Sequence, residues 1–162
     1  MSSLLDAPAL GSQTPRILVA PPSSGSQGWD LIELCEGVGM SLDEGQKLTL
    51  VEICAESRPG KWAAMETLDE EPRQNGKGLD IEALQLGDLF LFDSSLVSTY
   101  SAHEFSTARK QFERLRFWIE NNDDLRKRCK KPTVANGNVG IQTLAGHQVW
   151  FRARTNDGGR GL

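Results

Sequence analysis

Apolar residues recur at intervals of three and four along much of the chain, which is the spacing of one face of an α-helix. One helix is predicted to begin at a capping box at residues 41–44 and to end at Pro59-Gly60. Another is predicted to begin after a second capping box, at residues 101–104. The stripe of that second helix is the clearest in the chain and comprises Phe105, Ala108, Phe112, Leu115 and Ile119.

Two further helices and several short strands complete the predicted elements. Residues 29–36 are expected to form a helix that ends at Gly37 in the left-handed cap conformation, and residues 79–92 a largely apolar helix. The predicted strands are residues 16–19, 62–68, 96–100, 141–144 and 148–154, the last two as an antiparallel hairpin. The alternation of strand and helix from residue 62 to residue 119 favours an α/β protein with a parallel sheet.

A polar turn with a Gly-Lys pair separates predicted strand 62–68 from predicted helix 79–92. A glycine before a helix lets backbone N–H groups converge on phosphate oxygens, and a lysine reaches the β- and γ-phosphates. Against the pattern G-x-x-x-x-G-K-[ST], the chain keeps Gly76 and Lys77, but it has Glu71 at the first glycine and Gly78 at the hydroxyl residue. The alternative interpretation is an exposed polar turn between two elements.

The stretch Pro72-Arg73-Gln74-Asn75-Gly76-Lys77 resembles the Walker A variant of phage terminase large subunits, the ATP-driven motors that package DNA into viral heads. The resemblance extends from about Thr14 to Gly161, and its other motifs are residues 28–32, 42–46 and 101–105. It implies an α/β fold: a partial P-loop NTPase-type parallel sheet with flanking helices and a C-terminal β-hairpin. The expected organisation is a flexible segment at 1–28 and a truncated P-loop ATPase domain at 29–162.

The resemblance also implies the residues of a nucleotide site. Gln46 would bind the adenine edge, because its amide offers both a donor and an acceptor; an exposed helical glutamine is the alternative. His103 would lie near the nucleotide, although a histidine with a structural role at a helix start is the alternative. The implied cofactors are ATP and Mg²⁺, with water in place of the hydroxyl that Gly78 lacks. The implied phosphate-binding residues are Arg73, Gln74, Asn75, Gly76, Lys77 and Gly78.

Two departures from the family weaken the expected chemistry. Asp69-Glu70-Glu71 stands where the family has apolar residues, and three carboxylates disfavour both strand burial and phosphate approach. No four-residue apolar run followed by Asp-Glu occurs in the chain, so the Walker B element and the nuclease carboxylates have no counterpart. No catalytic residue and no metal ligand can therefore be identified, and whether the chain alone is an enzyme stays open.

Charge is distributed unevenly along the 162 residues, whose formal net charge is −4. Residues 1–108 carry 6 basic and 17 acidic side chains, whereas residues 109–162 carry 12 and 5. The basic run at residues 126–131 is either a solvated loop or a contact for a phosphate backbone. No apolar run approaches the roughly 20 residues that span a bilayer, and no secretory signal is recognisable. The three cysteines lack C-x-x-C spacing, which favours reduced thiols and makes a zinc site improbable.

The leading expectation is the N-terminal part of a terminase ATPase domain, which binds ATP to power translocation of viral double-stranded DNA into procapsids. The small terminase subunit and the portal protein are its partners by resemblance, in the cytoplasm of a bacterial host and encoded by a phage or prophage. The alternative is a drifted prophage remnant without enzymatic activity, which binds nucleic acid or a partner weakly. Another phosphate-loop NTPase, such as a helicase, would share the fold but not Arg73-Gln74-Asn75.

Overall fold

The structure is a computed structural model that describes residues 12–70, 76–93, 96–135 and 138–154. These residues form five helices and seven strands. The helices are α1 (Gly28–Gly37), α2 (Glu44–Ile53), α3 (Lys77–Phe90), α4 (Phe105–Glu120) and α5 (Asp123–Arg128). The strands are β1 (Gly25–Ser26), β2 (Ala55–Arg58), β3 (Lys61–Trp62), β4 (Val97–Ala102), β5 (Thr133–Ala135), β6 (Asn138–Gln142) and β7 (Gln148–Ala153).

The larger sheet has four strands in the order β4-β7-β6-β5. Strands β4 and β7 pair in parallel from Val97↔Gln148 to Ala102↔Ala153, whereas β6 runs antiparallel to both of its neighbours. The chain is therefore a mixed α/β protein, and the predicted antiparallel hairpin near the C-terminus is confirmed. Its first strand begins at Asn138, three residues earlier than predicted.

A separate, smaller sheet contains the segment that was expected to feed the phosphate loop. Strand β3 ends at Trp62 and pairs antiparallel with β2 in the order β1-β2-β3. The expected central parallel strand at residues 62–68 is wrong, because Met65 and Leu68 are almost fully exposed. A central parallel strand needs apolar cover on both faces, and a segment with Glu66, Asp69 and Glu70 has too few apolar side chains to supply it.

Several predicted boundaries also change. Residues 16–19 are exposed and form no strand, since Pro21-Pro22 follows at once and proline cannot donate to a strand ladder. Helix α2 begins at Glu44 with Asp43 as its N-cap, so the capping box lies at residues 43–46 and not at residues 41–44. Helix α1 ends at Gly37 as expected, but the left-handed residue is Gly39, with φ +86°.

Helix α4 begins after Glu104, which makes no side-chain cap hydrogen bond, so the capping box expected at residues 101–104 is wrong. The reason is tertiary: Ser101 and Ala102 extend β4 and pair with Arg152 and Ala153 of β7. A continued strand cannot also be the first turn of a helix.

The apolar stripe predicted for α4 is confirmed, and it packs on the larger sheet. Ala108, Phe112, Leu115 and Ile119 are buried, and the Phe112 ring meets the ring of Phe151 on β7 with centroids 5.6 Å apart. Each large apolar side chain buried in this way stabilises the fold by about 1.5–3 kcal/mol. The same core continues through buried side chains of α1, α2 and α3, so α3 rests on α4 and its first turn is held in a fixed place.

Helices α1 and α2 make a backbone-to-backbone contact at Gly28. A Cβ atom added at Gly28 would lie 2.5 Å from the Cα of Val51 and 2.6 Å from the carbonyl oxygen of Leu50. The Ser26 hydroxyl lies beside this contact, accepting from the Gly28 N–H at 2.9 Å and donating to the Val51 carbonyl at 2.6 Å. Only a residue without a Cβ permits so close an approach.

Candidate functional site

The first turn of α3 is the part of the predicted phosphate loop that the structure describes. Gly76 precedes the helix with φ +88° and ψ −7°, a left-handed conformation that glycine adopts readily. Gly76 has no side chain to cap this turn, and the buried carboxyl group of Asp80 lies in the turn. The N-terminus of a 14-residue helix carries the positive end of the helix dipole, which attracts anions.

Most of the remaining loop residues lie outside the described part of the chain. This applies to Glu71 and to three of the expected phosphate-binding residues, Arg73, Gln74 and Asn75. Lys77 is the first residue of α3, and only its backbone is described. The described geometry at this end of the helix therefore comes from Gly76, Gly78 and their neighbours.

Gln46 lies against Gly76, although 30 residues separate the two in sequence. Its Nε2 donates to the Gly76 carbonyl oxygen at 3.4 Å, and its Oε1 accepts from the backbone N–H of Asp43 at 3.0 Å. The side chain is only 6% exposed, because it closes the capping box of α2 and packs under the turn. The structure thus joins the residue expected to bind adenine to the loop expected to bind phosphates, in a buried position.

Arg114 of α4 lies beside Gly78. A Cβ at Gly78 would come within 3.0 Å of Arg114 Nη1, so the missing side chain leaves room for the guanidinium. Arg114 Nε lies 2.6 Å from Oε1 of Glu82, a residue only 1% exposed, and Trp118 Nε1 donates to the other carboxylate oxygen at 2.6 Å. These contacts hold a cation over the first turn of α3.

The Glu82 carboxyl group is perturbed by its position. Burial raises its pKa above the ordinary value of 4.5, and this effect outweighs the hydrogen bond from Trp118 and the charge of Arg114, which both lower the pKa. The pair therefore combines a buried acid with a half-exposed arginine. Burying a carboxylate beside a cation is typical of a site that fixes the cation's position.

The described side of this turn carries positive charge at the position that supplies a Mg²⁺ ligand in phosphate loops. The position that supplies a hydroxyl ligand in phosphate loops is Gly78, and the Arg114 guanidinium stands where that ligand would project. In the described residues, no group of three or more His, Cys, Asp or Glu side chains could hold a metal ion. A cation already fixed at this position repels a second one.

His103 is exposed in the bend between β4 and α4. Helix α3 contacts α4 through Glu82, which accepts from Trp118, and through Gln85, which accepts from Gln111. Within the described residues, no contact joins His103 to Gln46 or Gly76.

The sequence analysis missed the Arg114–Glu82–Trp118 arrangement. A signal was present, since Glu82 stands in an otherwise largely apolar helix next to buried Ala83. A buried acid needs a partner, but the sequence alone does not show which of the many arginines of α4 supplies it.

The cysteines take no part in the site. All three are free thiols, and Cys35 and Cys54 are buried. Burial raises the pKa of both of these thiols to about 12 and that of Cys129 to about 11. Thiols protonated in this way are poor nucleophiles and poor metal ligands, which agrees with the expectation of idle thiols.

Comparison with known proteins gives no match to a protein-family profile, to a curated protein or to a solved structure. Across the described ranges, no helix has both the length and the apolar character required to cross a membrane.

Proposed function

We propose that this chain is the N-terminal part of the ATPase domain of a packaging motor of the phage terminase type, and that it binds ATP at the start of α3. The observation that carries the proposal is the contact between Gln46 and Gly76. Two motifs distant in sequence, which the resemblance assigns to the adenine and to the phosphates of one nucleotide, meet at the open N-terminus of an apolar helix.

In this proposal, different groups of the chain bind different parts of ATP. The backbone of Gly76 and the first N–H groups of α3 receive phosphate oxygens. Lys77 and Arg73 supply positive charge from the loop, and Arg114 supplies it from α4. The Gln46 amide retains one unused N–H and one lone pair for the adenine edge, and reaching them requires the side chain to emerge from its buried position.

The proposed role is binding rather than turnover by this chain alone. Hydrolysis of a phosphoanhydride needs a metal on the β/γ oxygens and a carboxylate that orients water. The described first turn offers a guanidinium in place of the metal ligand. In the family, ATP powers movement of viral double-stranded DNA into procapsids with a small terminase subunit and a portal protein. We assign the same setting, in a bacterial cytoplasm, to this chain.

Titration with a fluorescent ATP analogue tests the proposal. Lys77→Ala removes a cation from the expected phosphate contacts, and we expect the Kd to rise at least about tenfold, since a charge-assisted hydrogen bond contributes about 1.5–3 kcal/mol. The matched control is Lys110→Ala, at an exposed position of α4, which should leave the Kd for the ATP analogue unchanged. Equal affinity of the wild-type chain and Lys77→Ala, with both folded by circular dichroism, would refute the phosphate-loop assignment.

A second candidate is a non-enzymatic remnant of the same family that binds nucleic acid or another partner weakly. The exposed segment at residues 65–70, in place of a central strand, favours it, because that strand positions the loop in phosphate-loop folds. The same titration separates the candidates. A folded wild-type chain without measurable ATP affinity supports the remnant and overturns the first proposal.

A further inference from the structure

A basic ridge lies beside the C-terminal half of α4 and the edge of the larger sheet. We define the basic ridge as residues 126–131, which comprise the end of α5 and the segment after it and contain five basic side chains in six positions. Arg126 pairs with Asp123 at 2.8 Å, and the Arg128 guanidinium lies 4.9 Å from the Phe90 ring centroid. The other three basic residues, Lys127, Lys130 and Lys131, are exposed and form no ion pair with any described residue.

Two hollows flank the basic ridge, and its cations divide between them. The larger hollow has a volume of about 470 Å³, with Arg126, Lys130 and Lys131 at its lining and the buried side chains of Ile119 and Ile141 beneath them. The smaller hollow, of about 350 Å³, is lined on the other side by Lys127, Arg128 and His147, among others. Basic side chains therefore lie on both sides of α5, and on the side of the larger hollow they lie over apolar surface.

The backbone of the basic ridge is fixed to the sheet and to its own helix cap. The Lys130 N–H donates to the Gln142 carbonyl oxygen at 2.8 Å, and the Arg128 carbonyl accepts from the Leu144 N–H at 2.7 Å. Asn122 caps α5 by accepting from the N–H groups of Asp124 and Leu125. Cations mounted on such a scaffold lose little backbone freedom when they bind a ligand.

A polyanion satisfies this arrangement better than a small anion does. Two carboxylates beside the ridge pair with arginines, Glu120 with Arg116 and Asp123 with Arg126. Asp93 lines the smaller hollow, and Asp124 lies in the first turn of α5. A nucleic-acid strand presents one phosphate charge for about every 3.4 Å of its axis. The ridge has three helical residues and three residues after the helix, which together span at most about 14 Å. Up to about four consecutive phosphates therefore match the length of the ridge, while a sugar can cover the apolar floor of the larger hollow.

We propose that the basic ridge binds the phosphodiester backbone of nucleic acid, with Lys130 and Lys131 contacting phosphates at the larger hollow. The described residues of the ATP site contribute nothing to this surface. The inference rests on the proposed function, because both candidates bind nucleic acid, and it assigns that contact to the basic ridge. The contact is independent of base sequence, because no base-reading group is required for it.

Fluorescence anisotropy with labelled duplex DNA, single-stranded DNA and RNA of equal length tests the inference and identifies the preferred strand form. We expect Lys130→Gln/Lys131→Gln to weaken binding about eightfold per lysine at 0.1 M salt, because each phosphate contact releases about 0.9 of a counterion on duplex DNA. The slope of log Kd against log salt should fall by about 0.9 per lysine. Both side chains are exposed, so the melting temperature should not change.

The matched control is Arg58→Gln/Lys61→Gln, which removes the same two charges from exposed positions of the smaller sheet. It should leave affinity within about twofold and the salt slope unchanged. Equal losses in both variants, or no loss in the ridge variant, would overturn the inference. A third outcome would also overturn it: the wild-type chain forms a salt-sensitive dimer, and the ridge variant loses the dimer but keeps its nucleic-acid affinity. The ridge would then bind the acidic residues 1–108 of a second copy. If the chain does not bind ATP but the ridge variant loses nucleic-acid affinity as expected, the ATP site is refuted and this inference stands.

Discussion

Replacing Gln46 by alanine should destabilise the protein and loosen the candidate site together. The substitution removes the Oε1 acceptor of the Asp43 N–H, at 3.0 Å, and the Nε2 donor to the Gly76 carbonyl, at 3.4 Å. The reciprocal bond from the Gln46 N–H to Asp43 Oδ1 is made by the backbone and survives. The variant therefore loses half of a capping box and the one described side-chain hydrogen bond between α2 and the start of α3.

The expected loss follows from these two contacts. Removing a cap interaction costs about 0.5–2 kcal/mol, and a long hydrogen bond to a carbonyl contributes at the low end of about 0.5–1.5 kcal/mol. We expect the free energy of unfolding to fall by about 1.5 kcal/mol. For a chain of this size, each kcal/mol shifts the melting temperature by about 2–4 °C, so the melting temperature should fall by about 3–6 °C.

Gln46→Glu separates the cap from the contact with Gly76. Glutamate keeps an acceptor for the Asp43 N–H and carries a charge that helix N-termini favour, but it has no donor for the Gly76 carbonyl. Its melting temperature should fall at least as far as that of Gln46→Ala, because a buried carboxylate oxygen would face the Gly76 carbonyl oxygen, and both variants should bind ATP more weakly. Thermal unfolding by circular dichroism gives the first comparison and ATP titration the second. An unchanged melting temperature in Gln46→Ala would refute the described contacts.

Two further predictions concern the scaffold. In a urea titration, Gly28→Ala should lower the free energy of unfolding by about 3 kcal/mol, because its Cβ would overlap the backbone of α2. The control is Gly37→Ala, where a Cβ meets nothing within 4 Å. That substitution should leave the free energy of unfolding unchanged or raise it. Glu82→Gln should flatten the pH dependence of stability. The folded protein holds the Glu82 proton at higher pH than the unfolded chain does, so this group's contribution is fully present below pH 4.5 and declines as pH rises towards the raised pKa. Melting curves from pH 4 to pH 8 should show that decline in the wild-type chain only; parallel profiles would contradict it.

The elements that could be predicted from the sequence are those with a clear apolar periodicity. The stripe of α4 and the alternation in β7 each leave one face apolar, and one apolar face suffices to locate a helix or a strand. The segment at residues 62–68 was misassigned because a motif, rather than a pattern, implied a strand there. Its composition argued otherwise, since Asp69-Glu70-Glu71 cannot be buried without partners.

The candidate site was only partly accessible from the sequence. Resemblance named Gln46 and Gly76, and the fold joins them. The sequence did not indicate that the capping box lies at residues 43–46 rather than at residues 41–44. Ser41 and Asp43 are equally good caps, and only packing selects between them. Arg114 was missed for a similar reason, since its role depends on the packing of α3 against α4, a tertiary property.

The most direct test of the central claim, that ATP phosphates bind at the start of α3, is a ¹⁵N NMR titration of the chain with ATP. We expect ATP to cause large chemical-shift changes of the Gly76 and Gly78 backbone amides and of the Gln46 side-chain amide. Pyrophosphate should move the two glycine signals, and adenosine should move the glutamine signal. Saturable shifts confined to other residues, or no shifts in a folded chain at millimolar ATP, would contradict the account.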